Sequence, residues 1–443
     1  MFNEVLFQLS HLEGETVTTQ NIIVISGVLI VNIALAVIWS NWDQIKIRLL
    51  KIDKYVPYVI LLIFLSVWIF VFLIYKFPVS GDVKNFFIPQ GEKVLQGFIP
   101  NRDFTSSYMP LFTYVLGAIY HLWPNEYSIG LFFTICLVIF IFIFSWLLNM
   151  ILPKSHSKVT LIMLIGLLNS VLLILGIAYQ QDECFILMLF SILIIVSQKK
   201  GDFFTGLVAG LFLCLTKITM IILLIPLYIF AKKKKFFFLG WGISTVLIIG
   251  YFITQGFSPM RMISGESNAI VPPSLITSFH LIPGVLKVIK INSNIVYIIA
   301  ILVLVYSSYL LVKRKNLSFN SFPAVLIIIW LIFLLFSLKS LTSYRVLIIP
   351  FIPFVLDKFI DKQKKIPYSF AIYCSLVSIY MMFYEDWGKI TKLSLNYFTL
   401  SQVQQTHYII LSVFELLIVL FEILWIYLAL KSITSSKDEM KDQ

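Results

Sequence analysis

The chain has 443 residues, of which 59% are hydrophobic, 16% aromatic and only 13% charged, with a mean hydropathy of +0.94. These values exclude a soluble globular domain, and the lack of period-two alternation excludes a membrane-spanning barrel. The net charge of +12 is gathered in short loops between apolar runs, which is the cytoplasmic bias of membrane helices rather than a nucleic-acid surface.

The first twenty residues carry Glu4, Glu13 and Glu15 and neither Lys nor Arg, the wrong charge for a signal peptide, so the first apolar run is expected to stay in the protein. Thirteen helical segments follow from runs long enough for a bilayer or for half of one: 21–41, 56–77, 128–152, 159–179, 183–197, 203–216, 218–231, 236–254, 294–312, 321–338, 344–356, 367–384 and 408–430. The expected class is therefore all-α, a polytopic transmembrane helical protein of about 13 membrane helices in one integral-membrane domain, 1–443. Cys136, Cys184, Cys214 and Cys374 fall within or at the edge of apolar runs without metal-like spacing, and neither a disulfide nor zinc is expected.

Between the second and third runs lies 81–111, GDVKNFFIPQGEKVLQGFIPNRDFTSSYMPL, the longest stretch that is neither apolar nor an ordinary connector. It begins a few residues beyond a membrane helix. Asp82 follows Gly81 and precedes Lys84, whereas Asp103 is adjacent to Arg102. Two readings of Asp82 stay open: a proton acceptor, or an N-cap for an amphipathic interfacial helix over 83–95 with Phe86, Phe87 and Val94 on its apolar side. For Asp103, salt-bridging with Arg102 stands ahead of chemistry.

The segment 203–231 decides the topology, because its only interruption is Lys217. Read as one helix with a snorkelling lysine, it would put Lys199 and Lys200 on the opposite side from Lys232–Lys235. Two helices of about fourteen residues, roughly 21 Å each, keep both clusters on one side and leave Lys217 at the apex of a hairpin. We expect the hairpin. The clusters at 46–54, 154–158, 199–200, 232–235, 313–315 and 358–365, more than half of the 34 Lys and Arg, then share the cytoplasmic side. The N-terminus, 81–111 and four further polar stretches lie outside: 180–183, 255–292 with Arg261, Glu266 and His280, 339–345, and 385–407. No glycine-rich phosphate loop, Asp-x-Asp metal motif or internal repeat appears.

The order apolar helix, Gly81-Asp82, a Gly-x-x-Pro turn at Gly97–Pro100, Arg102-Asp103-Phe104 and Tyr108-x-Pro110-Leu111 resembles the GT-C superfamily of integral-membrane glycosyltransferases, in the branches that take sugar from a polyprenyl-phosphate donor. Gln181-Asp182 at a helix start looks like that family's outer Gln-x-Asp signature, although here Gln and Asp are adjacent or one apart. Gly206 to Gly210, Lys217 and Pro226 resemble its short hairpin with a lysine at the tip, and Tyr344-Arg345 its late aromatic-basic element. The likeness covers 56–365. The helix at 21–41 precedes the family's usual first span, so 1–55 reads as an added helix and cytoplasmic loop, and 366–443 as C-terminal helices and a tail.

The resemblance implies an inverting transferase in which Asp82 is the general base, taking a proton from an acceptor hydroxyl as it attacks the anomeric carbon and expels polyprenyl phosphate. A phosphate leaving group needs positive charge rather than an acid partner, for which Lys217, Arg261 and Arg345 are candidates. Asp103, Arg102, Tyr108, Gln181, Asp182 and Tyr344 are the remaining expected substrate contacts. Independence from divalent metal is expected, and no cofactor besides the lipid-linked donor. The partners implied are a polyprenyl-phosphate sugar, a cell-surface glycan or lipid acceptor and the bilayer, with no nucleic acid. The setting implied is a bacterial plasma membrane with the site on the extracytoplasmic side. A flippase or transporter of lipid-linked sugars and a surface-polysaccharide polymerase are the alternatives; the first would call for inverted repeats, the second for arginines in two large outer loops.

Overall fold

A computed structural model describes residues 19–49, 54–74, 78–152, 156–262, 273–275, 293–313, 317–337, 339–360, 363–384 and 401–435. Helices are its only regular elements among those residues. Six are long and apolar enough to cross a membrane, or seven if a bent pair counts as one span. They are Val56–Ile74, Ser128–Ile151, Lys234–Thr254, Phe319–Phe336, Ile366–Phe383 and Gln404–Thr434, with the pair Ser157–Leu167 and Leu172–Ala178 bent by 58°. Shorter apolar helices supply the rest of the bundle.

The helix ends fall where local chemistry stops them. The bend between Leu167 and Leu172 is closed by Asn169, whose Oδ1 accepts from the backbone N–H of Val171 and Leu172 at 3.1 and 3.2 Å while its Nδ2 donates to Gly166 O at 2.8 Å. One side chain thereby satisfies donors and an acceptor that the break would leave open in a dry interior.

The first described helix, α1 (Thr19–Ser40), is an integral part of the bundle. Asn32 Nδ2 donates to Ser170 Oγ at 2.7 Å and Ser375 Oγ at 2.8 Å, and its Oδ1 accepts from Ser170 N at 3.2 Å. Such interhelical polar bonds hold membrane helices together where lipid gives no hydrophobic drive.

The segment 344–356 departs from the expected α-helix. It is a series of short 3-10 turns, Thr342–Leu347 and Ile349–Phe351, followed by one helical turn at Ile352–Leu356. Pro350 and Pro353 lack the N–H that a continuous α-helix would need, and tight packing against the buried helix Phe322–Phe336 fixes the irregular path.

The chain reverses at Lys217. Helix α2 (Asp202–Cys214) runs up to it and α3 (Ile221–Phe230) runs back, and the two far ends meet where the Lys233 N–H donates to Asp202 Oδ2 at 2.6 Å. Helix α4 (Lys234–Thr254) then climbs beside α2 through glycines: a Cβ on Gly206 or Gly240 would strike the carbonyl of Phe237 or Phe203, and one on Gly210 the hydroxyl of Ser244. The two backbones therefore touch without intervening side chains. Gly240→Leu should lower stability by about 1–3 kcal/mol through overpacking, read as a fall in unfolding temperature in detergent. An unchanged midpoint would mean that this crossing opens at no cost.

Phe319–Phe336 has 78% of its window buried and is the central post of the bundle, whereas Lys234–Thr254 has 17% buried and presents Phe238, Leu239, Val246 and Leu247 outward as a lipid-facing helix would. Basic groups collect at one end. Lys158 pairs with Asp357 at 2.9 Å, Lys199 lies over the Trp146 ring at 4.0 Å and Lys431 over Phe359 at 5.9 Å. The polar residues of the candidate site collect at the other.

Candidate active site at the hairpin apex

The site is built where the first loop lies on the apex of the hairpin. Met109 N–H donates to Thr216 O at 2.9 Å, and Tyr108 and Lys217 form an antiparallel bridge. Pro110 then opens a helix, Pro110–Leu122, its fixed φ suiting the first turn and its missing N–H costing nothing there. Tyr108 is buried, stacked on Phe112 with ring centroids 4.3 Å apart and packed edge-on against Phe87. Aromatic packing thus fixes the loop in place before any ligand is considered.

Against that floor sits a charged cluster. Lys217 Nζ donates to Asp182 Oδ1 at 3.1 Å and to Glu183 Oε1 at 3.0 Å, with the Tyr108 and Tyr344 rings 5.0 and 5.2 Å from it. All five residues are buried. Burial alone would lower the Lys217 ammonium, yet the two carboxylates hold it well above its usual value. One lysine serves two acids: burial and the Glu183 carboxylate push Asp182 up to about 7 against the pull of Lys217.

Asp182 lies in the connection between two helices, outside both. Its raised value has a sign. A carboxyl that holds its proton more tightly folded than unfolded favours the folded state at low pH, and that contribution fades as pH rises toward about 7. Infrared difference spectra should show a protonated-carboxyl C=O band growing as pH falls through that region, and Asp182→Asn should remove it. A band that survives the substitution would assign the proton to another group.

Gln181 carries the cluster to Asp82. Its Nε2 donates to Asp82 Oδ2 at 3.1 Å and to Tyr179 O at 3.2 Å. Asp82 itself is exposed at the foot of the turn Val83–Phe87 and makes no side-chain cap bond, so the N-cap alternative is not used. Next to Gln181, Gln180 adopts φ +50° and is wholly buried with its amide against Gly130, where any side chain would collide with it. A non-glycine residue in that region is unusual, and it re-aims the chain so that Gln181 and Asp182 face opposite parts of the site.

The remaining expected residues separate into two groups. Arg102 forms a two-pronged pair with Asp103, Nε to Oδ1 at 2.9 Å and Nη2 to Oδ2 at 2.8 Å, and its Nη1 donates to Gln255 O at 3.0 Å. Its hydrogen-bonded guanidinium holds Asp103 below the usual carboxylate range. Arg261, exposed, donates from Nη1 to Arg102 O at 2.9 Å. These three residues tie the first loop to the top of α4.

Arg345 is fully buried and spends its donors on Glu422 Oε1 at 2.7 Å, Ser340 O at 3.3 Å, Leu341 O at 3.2 Å and Pro273 O at 3.0 Å. Tyr373 adds a hydroxyl bond to Glu422 Oε1 at 3.2 Å. Neither Glu183 nor Glu422 is among the residues expected from sequence. The signal was present: Glu415 and Glu422, seven residues apart in an apolar run, stand on one helix face, and an acid inside a membrane helix points to a partner. Glu266 and His280 lie outside the described residues, as does most of 385–407.

Among the described residues, no group of three or more His, Cys, Asp or Glu side chains gathers as a metal cage would need. Lys217 is the cation that sits between the acids. No family model, curated protein or solved structure matches the chain.

Proposed function

We propose that the chain is a membrane glycosyltransferase that moves a sugar from a polyprenyl-phosphate donor to an extracytoplasmic acceptor hydroxyl, with inversion. The observation that carries this reading is the exposed Asp82 carboxylate held by Gln181 beside the buried Asp182–Glu183–Lys217 cluster, at the end of the bundle away from the basic loops. A carboxylate that is exposed yet oriented can accept the acceptor's proton in the displacement. The positive-inside bias supports an outer position for it.

Of the three cations considered for the phosphate, Lys217 and Arg345 are buried, whereas Arg261 is exposed at the rim, where a lipid phosphate could reach it. We assign the phosphate-facing role to Arg261 and charge balance to the other two. Membranes or proteoliposomes supplied with a panel of radiolabelled polyprenyl-phosphate sugars test the reading. Transfer from one of them to a glycan or lipid acceptor supports it, whereas movement of intact lipid-linked sugar between leaflets without transfer supports the flippase alternative.

A further inference from the structure

Tyr344 and Arg345 are neighbours in a 3-10 turn, where successive side chains diverge by about a third of a turn. That divergence sends them into two different charged clusters. The Tyr344 ring covers Lys217 at 5.2 Å, while the Arg345 guanidinium reaches Glu422 on the last helix at 2.7 Å. Both residues are fully buried, and the Tyr344 carbonyl is also held by Trp330 Nε1 at 3.0 Å. The backbone of the turn is held by its own bonds and by Trp330, and the Arg345 side chain adds the one charged anchor that ties it to the last helix.

We propose that Glu422 is a positioning residue: through Arg345 it sets the turn so that Tyr344 shields the Lys217 ammonium from water. The last helix, beyond the 56–365 part that resembles the transferases, then controls the state of the apex. Its consequence for transfer rests on the function proposed above, but the shielding does not and is read separately.

The test is lysine labelling by reductive methylation of the full-length protein in detergent, followed site by site with mass spectrometry. Exposed Lys84, at the same end, serves as the internal reference. Glu422→Gln should raise the Lys217 labelling rate about tenfold relative to Lys84, as local opening of the shield would. Tyr380→Phe removes the 2.9 Å bond to Glu415 on the same helix seam and should leave Lys217 labelling at its wild-type rate even where it lowers the unfolding temperature.

Should Glu422→Gln fail to fold, Arg345→Lys carries the same expectation, since a point charge loses the fork that reaches the Ser340 and Pro273 carbonyls. Wild-type labelling of Lys217 in the folded variant overturns the proposal. Equal acceleration by Tyr380→Phe does so too, because general loosening would then explain it. Where transfer is measured, Glu422→Gln should lower kcat more than it raises KM for the donor. Accelerated labelling in an enzyme indifferent to Asp82→Asn would keep the positioning role and remove the proposed transferase reaction.

Discussion

Asp82→Asn should lower product formation by about 10²–10⁴-fold, the usual worth of a positioned general base, while the protein folds and binds the donor lipid as before. The expectation of intact folding comes from the environment. Asp82 is exposed and accepts a single described hydrogen bond, from Gln181 Nε2, which an asparagine oxygen also accepts. The substitution therefore removes basicity and little else. Single-turnover transfer from a labelled donor in proteoliposomes separates chemistry from binding and product release. A rate within a few-fold of wild type would take Asp82 out of the mechanism, and a flippase would show that indifference.

The same geometry makes Gln181 the next residue to vary. Its amide nitrogen is spent on Asp82 and Tyr179 O, so in the proposed reaction it would orient the base, with Oε1 left to accept from a sugar hydroxyl. Gln181→Leu should mimic part of the Asp82→Asn loss in kcat, with a smaller effect on donor binding.

The all-helical membrane class could be read from the sequence because hydrocarbon thickness imposes a length on apolar runs and backbone groups have no water to turn to. The expected count of about 13 membrane helices was not reached: among the described residues six helices are long enough to cross, or seven with the bent pair, and the other apolar runs form shorter helices. The hairpin at Lys217 was legible for a related reason: the positive-inside expectation puts Lys199–Lys200 and Lys232–Lys235 at one end, and a reversal brings them there. The Arg102–Asp103 pair was legible from adjacency. What the sequence concealed depends on distance along the chain. Arg345 and Glu422 are 77 residues apart, and nothing in the local pattern around Tyr344 and Arg345 says that one enters the apex and the other the last helix. The 3-10 path of 342–351 was likewise hidden, since an apolar segment with two prolines reads as a short helix until its packing against Phe322–Phe336 is seen. Glu183 was passed over because it follows Asp182 directly, and only the helix start, which turns both carboxylates toward Lys217, makes them partners.

The largest effect on stability should come from Lys217→Met. The ammonium is 5% exposed and bonded to two carboxylates that are themselves buried, so its removal leaves two negative charges facing each other in a dry setting. Breaking a buried pair from one side typically costs about 3–5 kcal/mol, mostly as the penalty of the charge left behind. Asp182 is already pushed up to about 7, and losing Lys217 removes the pull that lowers it, so the loss should be greatest at alkaline pH well above that value and shrink as pH falls and Asp182 is neutralised. Thermal unfolding in nanodiscs on both sides of that value reads the difference. Combining Lys217→Met with Asp182→Asn and Glu183→Gln removes all three charges and should recover most of the stability, since the cost lies in imbalance rather than in lost attraction. If Lys217→Met alone unfolds like wild type at alkaline pH, the lysine is not the counter-charge of the apex and the cluster must be neutralised by other means. Recovered stability in the triple variant without recovered transfer would show that the chain keeps these charges for the reaction and not for the fold.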